Sequence, residues 1–290
     1  MATSFAQHGF SAAFTTIFHP LGYAKVLIQL GHEPLAPVPT RTIFGKERLI
    51  YPNVFQYIKH IKHTDGFLGL YRGLLPRIIG GLTGSAVQAY TSQCFKNCDS
   101  SDTQAADSAT SEDELVVWLK TFCKNTGEET VSRCLGIIVS QPFHVLMIRS
   151  MAQFVGGEDQ YSSPITAIVE IYKNDGITGF FAGLMPRIIG EICAVWMTGF
   201  ISHLINKYFI EDKEMKSYTG AACGLVITHF IYPFQLVSNI MAVNRSGLIA
   251  AQPPNMPPFD SWRQCWSQLS KQGQLKRGAS LFWRYYSGPM

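Results

Sequence analysis

Residues 65–81, DGFLGLYRGLLPRIIGG, recur 110 residues later as DGITGFFAGLMPRIIGE at 175–191. Both copies share the opening Asp-Gly, two later glycines and the string Leu-x-Pro-Arg-Ile-Ile-Gly. A match of this length and spacing indicates an internal duplication rather than a chance similarity. The fold is therefore expected to consist of repeated units.

Each repeat also contains a proline inside an apolar segment: IFHPLGYAKVLIQ, VSQPFHVLMIRSM and FIYPFQLVSNIM. These prolines are Pro20, Pro142 and Pro233. A short amphipathic stretch follows each proline segment, and its apolar residues recur at helical spacing. The residues are Val54, Tyr57, Ile58 and Ile61 in repeat 1, Ile165, Ile168, Val169 and Tyr172 in repeat 2, and more weakly Phe259, Trp262, Trp266 and Leu269 in repeat 3. We expect these helices to lie along a membrane surface with their apolar faces down.

The composition is typical of a membrane protein. The chain is 47% hydrophobic and only 15% charged, whereas an average soluble domain is about 25% charged. Five segments are long enough to span a bilayer: 6–30, 74–97, 131–154, 184–208 and 219–243. Too few residues follow the fifth segment for a sixth span, so the third repeat is predicted to be truncated.

Several function classes find no support in the sequence. A net charge of +4, without a basic cluster interleaved with aromatics, argues against a nucleic-acid partner. The seven cysteines form no CxxC pair and no zinc spacing with histidine, so neither a metal nor a cofactor is expected. We find no phosphate-binding loop, nucleophile elbow or pair of catalytic carboxylates, and we therefore expect no enzyme activity.

The predicted organisation is repeat 1 at 1–97, an acidic flexible loop at 98–115, repeat 2 at 116–208 and a truncated repeat 3 at 209–290. The loop reads CDSSDTQAADSATSEDEL, which is rich in acidic, Ser and Thr residues and has no apolar period.

The chain resembles the mitochondrial carrier family, whose three repeats carry Pro-x-acid-x-x-basic and then acid-Gly-x4-aromatic-basic-Gly. The matching residues are Pro20, Lys25, Asp65, Gly66, Tyr71, Arg72 and Gly73 in repeat 1, Pro142, Arg149, Asp175, Gly176, Phe181 and Gly183 in repeat 2, and Pro233 with a degraded Gln272-Gly273 in repeat 3. The resemblance implies an all-α membrane protein. It would be a carrier-like bundle of three degenerate helix–surface helix–helix repeats with the sixth transmembrane helix missing.

The chain departs from that family at the positions of the carrier gate. In a carrier, acids and bases from neighbouring repeats pair to close the pore on one side. The six equivalent positions are Gly22, Lys25, His144, Met147, Gln235 and Ser238, so one charge of six survives. An ionic gate cannot form from these residues, which argues against a gated metabolite exchanger. Lys25 is expected to contact water, a carbonyl or an anion, because facing lipid would cost about 2.5–3.5 kcal/mol.

Within the family, the chain is similar to the divergent branch of mitochondrial carrier homologs, through KVLIQLGHEPL, HVLMIRSMAQFVG, GFFAGLMPRIIGE and RGASLFWR. This resemblance implies a multi-pass protein of the mitochondrial outer membrane that inserts α-helical membrane proteins. Its partners would be lipids and the transmembrane segments of tail-anchored, signal-anchored and multipass clients. Two alternatives remain: a docking receptor or scaffold for apoptotic regulators, and a lipid scramblase.

Polar residues recur at helical spacing on four of the predicted spans, which indicates a hydrated interior. Without a sixth helix this interior would form a groove open sideways to lipid. The predicted groove residues are Lys25, Arg77, Gln88, Arg187, Glu191, Tyr232, Gln235 and Asn239. Arg187 and Glu191 are expected to pair. The alternatives are that Arg77 and Arg187 snorkel to headgroups, and that Gln235 and Asn239 bond across helices.

Overall fold

The structure, a computed structural model, describes residues 2–41, 47–102, 114–209 and 212–286. Its helices are α1 (Ala2–Ile17), α2 (His19–Leu30), α3 (Val54–Gly69), α4 (Leu74–Asp102), α5 (Glu114–Ala152), α6 (Pro164–Gly179), α7 (Leu184–Tyr208), α8 (Lys213–Val243) and α9 (Trp262–Lys271). The strands β1 (Val38–Arg41), β2 (Glu47–Tyr51) and β3 (Arg284–Tyr285) form one small antiparallel sheet in that order. The helical fold class is confirmed, whereas the sheet was not predicted.

The chain forms two compact units. Unit 1 comprises residues 1–80, 141–183 and 236–290, and unit 2 comprises residues 81–140 and 184–235. Each unit therefore draws on segments from different repeats.

Within the part of the chain that the structure describes, three helical segments are long and apolar enough to cross a membrane: Val116–Gly156, Leu184–Tyr208 and Tyr218–Val243. They correspond to the third, fourth and fifth predicted spans. The helix that contains the third predicted span begins earlier than predicted, because α5 starts at Glu114 and the predicted span starts at residue 131. In the second of these segments only 11% of the most apolar window is buried, as expected for a surface that faces lipid.

The first predicted span, 6–30, is divided into two short helices. α1 ends at Ile17 and α2 begins at His19, with Pro20 in the first turn of α2. Proline lacks the backbone N–H and crowds the preceding turn, so a helix usually ends or kinks before it. Pro142 and Pro233, by contrast, lie inside the continuous helices α5 and α8.

Both described ends of the predicted flexible loop at 98–115 are helical. α4 continues through Asp102 and α5 begins at Glu114. The residues from 103 to 113 lie outside the described part of the chain.

All three repeats have a pair of glycines with positive φ at the repeat motif. Each repeat places two glycines in the left-handed region with φ from 65° to 77°: Gly66 and Gly73, Gly176 and Gly183, Gly273 and Gly278. The third pair is closer in sequence, which explains why the motif looked degraded. Gly66 and Gly176 interrupt the helical backbone inside α3 and α6, and Gly273 follows the end of α9, in a conformation that side chains other than glycine adopt only at a cost.

The core of unit 1 is built on these repeats. Fully buried side chains converge from α2, α3, α5, α6 and α8, among them Tyr23, Leu27, Tyr57, Ile61, Ile148, Ile171, Leu236 and Ile240. A buried ion pair crosses this core: Arg149 Nη2 donates to Asp175 Oδ2 at 2.6 Å, and Arg149 Nε donates to the Ala242 carbonyl at 2.9 Å. Arg149 thus ties α5 to α6 and to the end of α8.

The expectation for the first amphipathic helix was wrong. In α3, which the side chain of Asn53 caps, Val54, Tyr57 and Ile61 are fully buried in the protein, so this face does not lie on a membrane. The second helix differs, because Ile165, Ile168, Val169 and Tyr172 of α6 are 45–75% exposed. Helical periodicity identifies an apolar face but not what covers it. The apolar face of α3 is covered by protein, whereas these apolar residues of α6 are not.

Unit 2 contains helical segments of α4, α5, α7 and α8 that approach closely through small residues. A Cβ on Gly136 would lie 2.8 Å from the Gly84 carbonyl oxygen, and one on Gly190 would lie 2.9 Å from Cβ of Phe234. Between α5 and α7, Trp118 Nε1 donates to His203 Nδ1 at 3.1 Å. Small residues that allow close backbone approach are typical of helix packing in membranes.

Candidate functional site

Arg77 lies against α2 at the position where a carrier has an acid. Its Nη1 atom would be 2.7 Å from a Cβ at Gly22, so the missing side chain at residue 22 makes room for the guanidinium. Nη1 also lies 3.4 Å from His19 Nδ1, while His19 Nε2 donates to the Arg72 carbonyl at 2.9 Å. These contacts match a neutral His19 that carries its proton on Nε2 and accepts at Nδ1.

Lys25 lies on the same side of α2, one turn after Gly22, and its side chain is half-buried. Residues three apart on a helix are neighbours. Unit 1 therefore presents two cations, Lys25 and Arg77, along one face of α2. Arg77 points to α2 in the structure, which gives no support to the alternative that it snorkels away from the bundle.

A neutral network replaces part of the ionic gate. His144 stands at a carrier acid position, and its Nε2 lies 3.0 Å from Asn239 Oδ1. Asn239 Nδ2 donates to Gln29 Oε1 at 2.7 Å, which links helices α5, α8 and α2. Gln29 and Asn239 are 1% and 4% exposed, so the network is buried. Asn239 therefore bonds across helices, the alternative that the sequence left open, and it does not line an open surface.

A second gate position also makes a neutral contact. Ser238 stands where a carrier has a base, and its hydroxyl donates to the Gly183 carbonyl at 2.8 Å. The bond joins repeat 3 to repeat 2 within unit 1. At His144 and Ser238 the gate positions thus make hydrogen bonds to uncharged groups, which do not require alternation between ion-pair partners.

In unit 2, Glu191 belongs to a charged cluster that the sequence reasoning missed in part. Arg133 on α5 donates to Glu191 Oε1 at 2.8 Å and forms a salt bridge with Glu129 Oε1 at 2.9 Å. The side chains are only partly covered, with exposures of 40% for Arg133, 52% for Glu129 and 29% for Glu191. Arg187 lies one turn before Glu191 on α7. The available signal was the i, i+4 spacing of Glu129 and Arg133 on α5, just before the apolar stretch that begins at Cys134.

The remaining predicted residues of unit 2 differ in exposure. Gln88 is partly buried and lies beside Gly136, where an added Cβ would be 3.6 Å from the Gln88 Cβ. Gln235 is exposed, but Tyr232 is 7% exposed. Unit 2 therefore holds Gln88, Arg187, Glu191, Tyr232 and Gln235, whereas Lys25, Arg77 and Asn239 belong to unit 1. Among the described residues, no three His, Cys, Asp or Glu side chains converge as metal ligands would.

The chain is similar in sequence to mitochondrial carriers and to mitochondrial carrier homologs. The family described as "Mitochondrial carrier protein" matches residues 2–100 and 129–213. The chain is 39% identical to Mitochondrial carrier homolog 2 of Bos taurus, over 98% of this chain and 95% of that protein. It is 36% identical to Mitochondrial carrier homolog 1 of Mus musculus, over 95% of this chain and 75% of that protein. A more distant relative, Mitochondrial thiamine pyrophosphate carrier 1 of Neurospora crassa, is 29% identical over 84% of this chain and 72% of its own length.

Proposed function

The chain belongs to the mitochondrial carrier family and is a mitochondrial membrane protein, and from that premise we propose that it is an outer-membrane insertase for α-helical membrane proteins, tail-anchored ones included. It would act through a hydrophilic groove open laterally to lipid. No covalent step is required for this activity.

The observation that carries the proposal is the Glu129–Arg133–Glu191 cluster. Its members are 29–52% exposed on helical segments that are long and apolar enough to cross a membrane. Charged side chains in such segments are costly against lipid and normally face a protein interior or a water-filled cavity. A partly exposed charged cluster on spanning helices therefore favours a hydrated surface at membrane depth.

A hydrated surface lowers the main barrier to insertion. A client must carry polar flanking groups across hydrocarbon, where each unsatisfied backbone or charged group costs several kcal/mol. Polar side chains and water would replace the lost hydration, while the apolar segment leaves into lipid. The proposed lining in unit 2 is Gln88, Arg187, Glu191 and Gln235, and Lys25 and Arg77 provide a positive patch in unit 1. Tyr232 and Asn239 are buried, and we leave them out of the lining.

The gate positions support this proposal over a solute carrier. Gly22 has no side chain, and His144 and Ser238 engage neutral partners. An exchanger that closes by ion pairs would need acids at residues 22 and 144 and a base at residue 238. The proposed mechanism therefore includes no ionic gate, because these residues cannot form one.

Reconstitution tests the proposal. Purified protein in liposomes is offered a tail-anchored client, a fluorescent phospholipid and labelled metabolites in parallel. We expect protease-protected client above the level of empty liposomes. Client insertion no better than in empty liposomes would contradict the proposal. Lipid flipping alone would favour the scramblase, and client binding without protection would favour the receptor.

Charge variants test the cluster in the same assay. Glu191→Arg removes one of the two acidic partners of Arg133 and adds a cation to a region that already holds Arg133 and Arg187, so insertion is expected to fall. Lys25→Glu tests the positive patch of unit 1 and is expected to change the insertion rate. Asp260→Asn is the control, because the Asp260 side chain is 88% exposed and lies outside the spanning segments. Unchanged insertion in both Glu191→Arg and Lys25→Glu would remove these charges from the mechanism.

A further inference from the structure

Consecutive repeats contact each other at matching positions within unit 1. A Cβ on Gly73, which ends the repeat 1 motif, would lie 3.0 Å from the Met147 carbonyl oxygen, five residues after Pro142. The carbonyl of Gly183, which ends the repeat 2 motif, accepts the hydroxyl of Ser238 at 2.8 Å, and Ser238 is five residues after Pro233. A Cβ on Gly183 would likewise overlap the Ser238 carbonyl oxygen, so a close backbone approach joins repeat 1 to repeat 2 and repeat 2 to repeat 3.

Arg277 makes the third contact, from repeat 3 back to repeat 1. It precedes Gly278, as Arg72 precedes Gly73. Its Nε and Nη2 atoms donate to the Gln29 carbonyl at 2.9 Å and 2.6 Å. Gln29 lies in the last turn of α2, where backbone carbonyls have no partner within the helix. A cation there is also favoured by the helix dipole.

The buried Gln29–Asn239–His144 network lies inside this set of contacts. Gln29 accepts Arg277 through its backbone and Asn239 through its side chain, so one residue joins the closing contact to the interior. Opening would separate these buried polar groups from their partners, which is costly in an apolar interior.

The segment that carries Arg277 is held by further bonds. Arg284 contacts the Glu33 carboxylate and the Pro52 carbonyl, and its side chain is 6% exposed. β3 pairs with β2, and the Tyr286 N–H donates to the Leu49 carbonyl at 3.0 Å. The C-terminal segment is therefore part of the packed structure of unit 1.

We propose that unit 1 is a permanently closed ring of three repeats, that Arg277 is its closing residue, and that the ring stays shut while the protein works. This inference rests on the proposed insertase function, because client insertion is the activity measured in its test. A transporter with alternating access opens at its repeat contacts. In this protein, all movement needed for insertion would take place without breaking the contacts of the ring.

A reversible disulfide tests whether the ring must open. Ile50 and Tyr285 face each other across β2 and β3, and antiparallel partners have Cα atoms about 4.5–5.5 Å apart, within disulfide range. In the full chain with the exposed Cys94, Cys98 and Cys123 changed to serine, Ile50→Cys/Tyr285→Cys would lock the C-terminal segment. Val38→Cys/Ile50→Cys, which bridges β1 and β2 instead, is the matched control.

We expect the oxidised and reduced forms of the locked variant to insert client at equal rates. Loss of insertion on oxidation, with recovery in dithiothreitol and no such loss in the control, would overturn the proposal. Insertion by the reduced form tests the proposed function separately from the ring. Absence of insertion in every form would therefore count against the proposed function. The closed ring would then be tested by maleimide labelling of Cys265.

Cys265 is a natural reporter of opening. Its side chain is completely buried, with 0% relative exposure, and burial raises the pKa of its thiol to about 12. Maleimide should label the exposed Cys123 and not Cys265, with or without client. Arg277→Gln, which loses the paired donation to Gln29, should increase Cys265 labelling, and Arg277→Lys should increase it less. Rapid labelling of Cys265 in the unaltered chain, or equal protection in Arg277→Gln, would contradict the proposed ring.

Discussion

Gly22 shows how one residue changes the character of a carrier-like helix. In the family pattern an acid stands here, yet the space beside residue 22 is occupied by the Arg77 guanidinium. The sequence identified the lost acid, because the motif spacing was intact around it. It could not identify Arg77 as the occupant, since the two residues are 55 positions apart and no local pattern joins them.

Restoring a side chain at residue 22 tests this arrangement. Gly22→Asp should place a carboxylate beside Arg77, whose flexible end can shift, whereas Gly22→Asn adds the same shape without charge. A hydrogen bond to a charged group contributes about 1.5–3 kcal/mol, so the Asp variant should be more stable than the Asn variant by a difference of that order. Thermal unfolding in detergent measures it. Equal stability of the two variants would contradict the position of the Arg77 guanidinium beside residue 22.

His32, just beyond the end of α2, predicts a pH dependence. Burial lowers the pKa of His32 from 6.5, and the neighbouring His60 lowers it further. The folded state therefore binds fewer protons than the unfolded state below about pH 6.5, so stability is lost as the pH falls from there toward the folded pKa. The unfolding temperature should fall between pH 7.5 and 5.5, and less so in His32→Gln. Parallel pH profiles for the two proteins would show that another group is responsible.

At the scale of elements, α3 and α6 demonstrate the limit of periodicity. Both carry apolar residues at helical spacing, and both were expected to lie on a membrane. The apolar face of α3 is packed inside unit 1, while the corresponding apolar residues of α6 are exposed. The partners of α3 come from distant segments, including Leu281, whose carbonyl accepts the Val54 N–H at 3.2 Å. Such non-local packing leaves no mark on the helix itself.

Matched isoleucine truncations separate the two helices. Ile61 of α3 is fully buried, and Ile61→Ala should destabilise the protein by about 2–5 kcal/mol through lost burial and a cavity. Ile165 of α6 is 75% exposed, and Ile165→Ala should change the stability by less than about 0.5 kcal/mol. Denaturant unfolding in detergent measures both. Similar losses would mean that the α6 face is also packed against protein.

The sheet illustrates a second limit. β1 contains Pro39, which normally argues against a strand, and β3 pairs with β2 across more than 200 residues of sequence. Two short strands with a distant partner give too weak a local signal to predict. The order of the helices, by contrast, was largely predictable from the duplication and the proline segments, although the first predicted span is divided into α1 and α2. Their ends were less predictable, as the early start of α5 shows.

At the scale of the whole molecule, the repeats and the compact units do not coincide. The sequence divides the chain into successive repeats, but each unit gathers segments from several of them. The predicted site was therefore divided as well: the positive patch lies in unit 1 and the charged cluster in unit 2. Glu191 was found from sequence because it is an acid in an apolar span, whereas its partner Arg133 required the packing of α5 against α7. The missing sixth helix stays a prediction.

The most direct test of the insertase account asks which residues touch a client during insertion. A photoreactive amino acid is placed singly at Gln88 or Gln235, with Leu225 as the control because it is 72% exposed on a spanning helix and apolar. A tail-anchored client is halted midway by a folded domain behind its membrane segment. The account predicts crosslinks from Gln88 and Gln235 to the client segment and its polar flank, and few from Leu225. Crosslinks from Leu225 alone, or from none of the three, would contradict it.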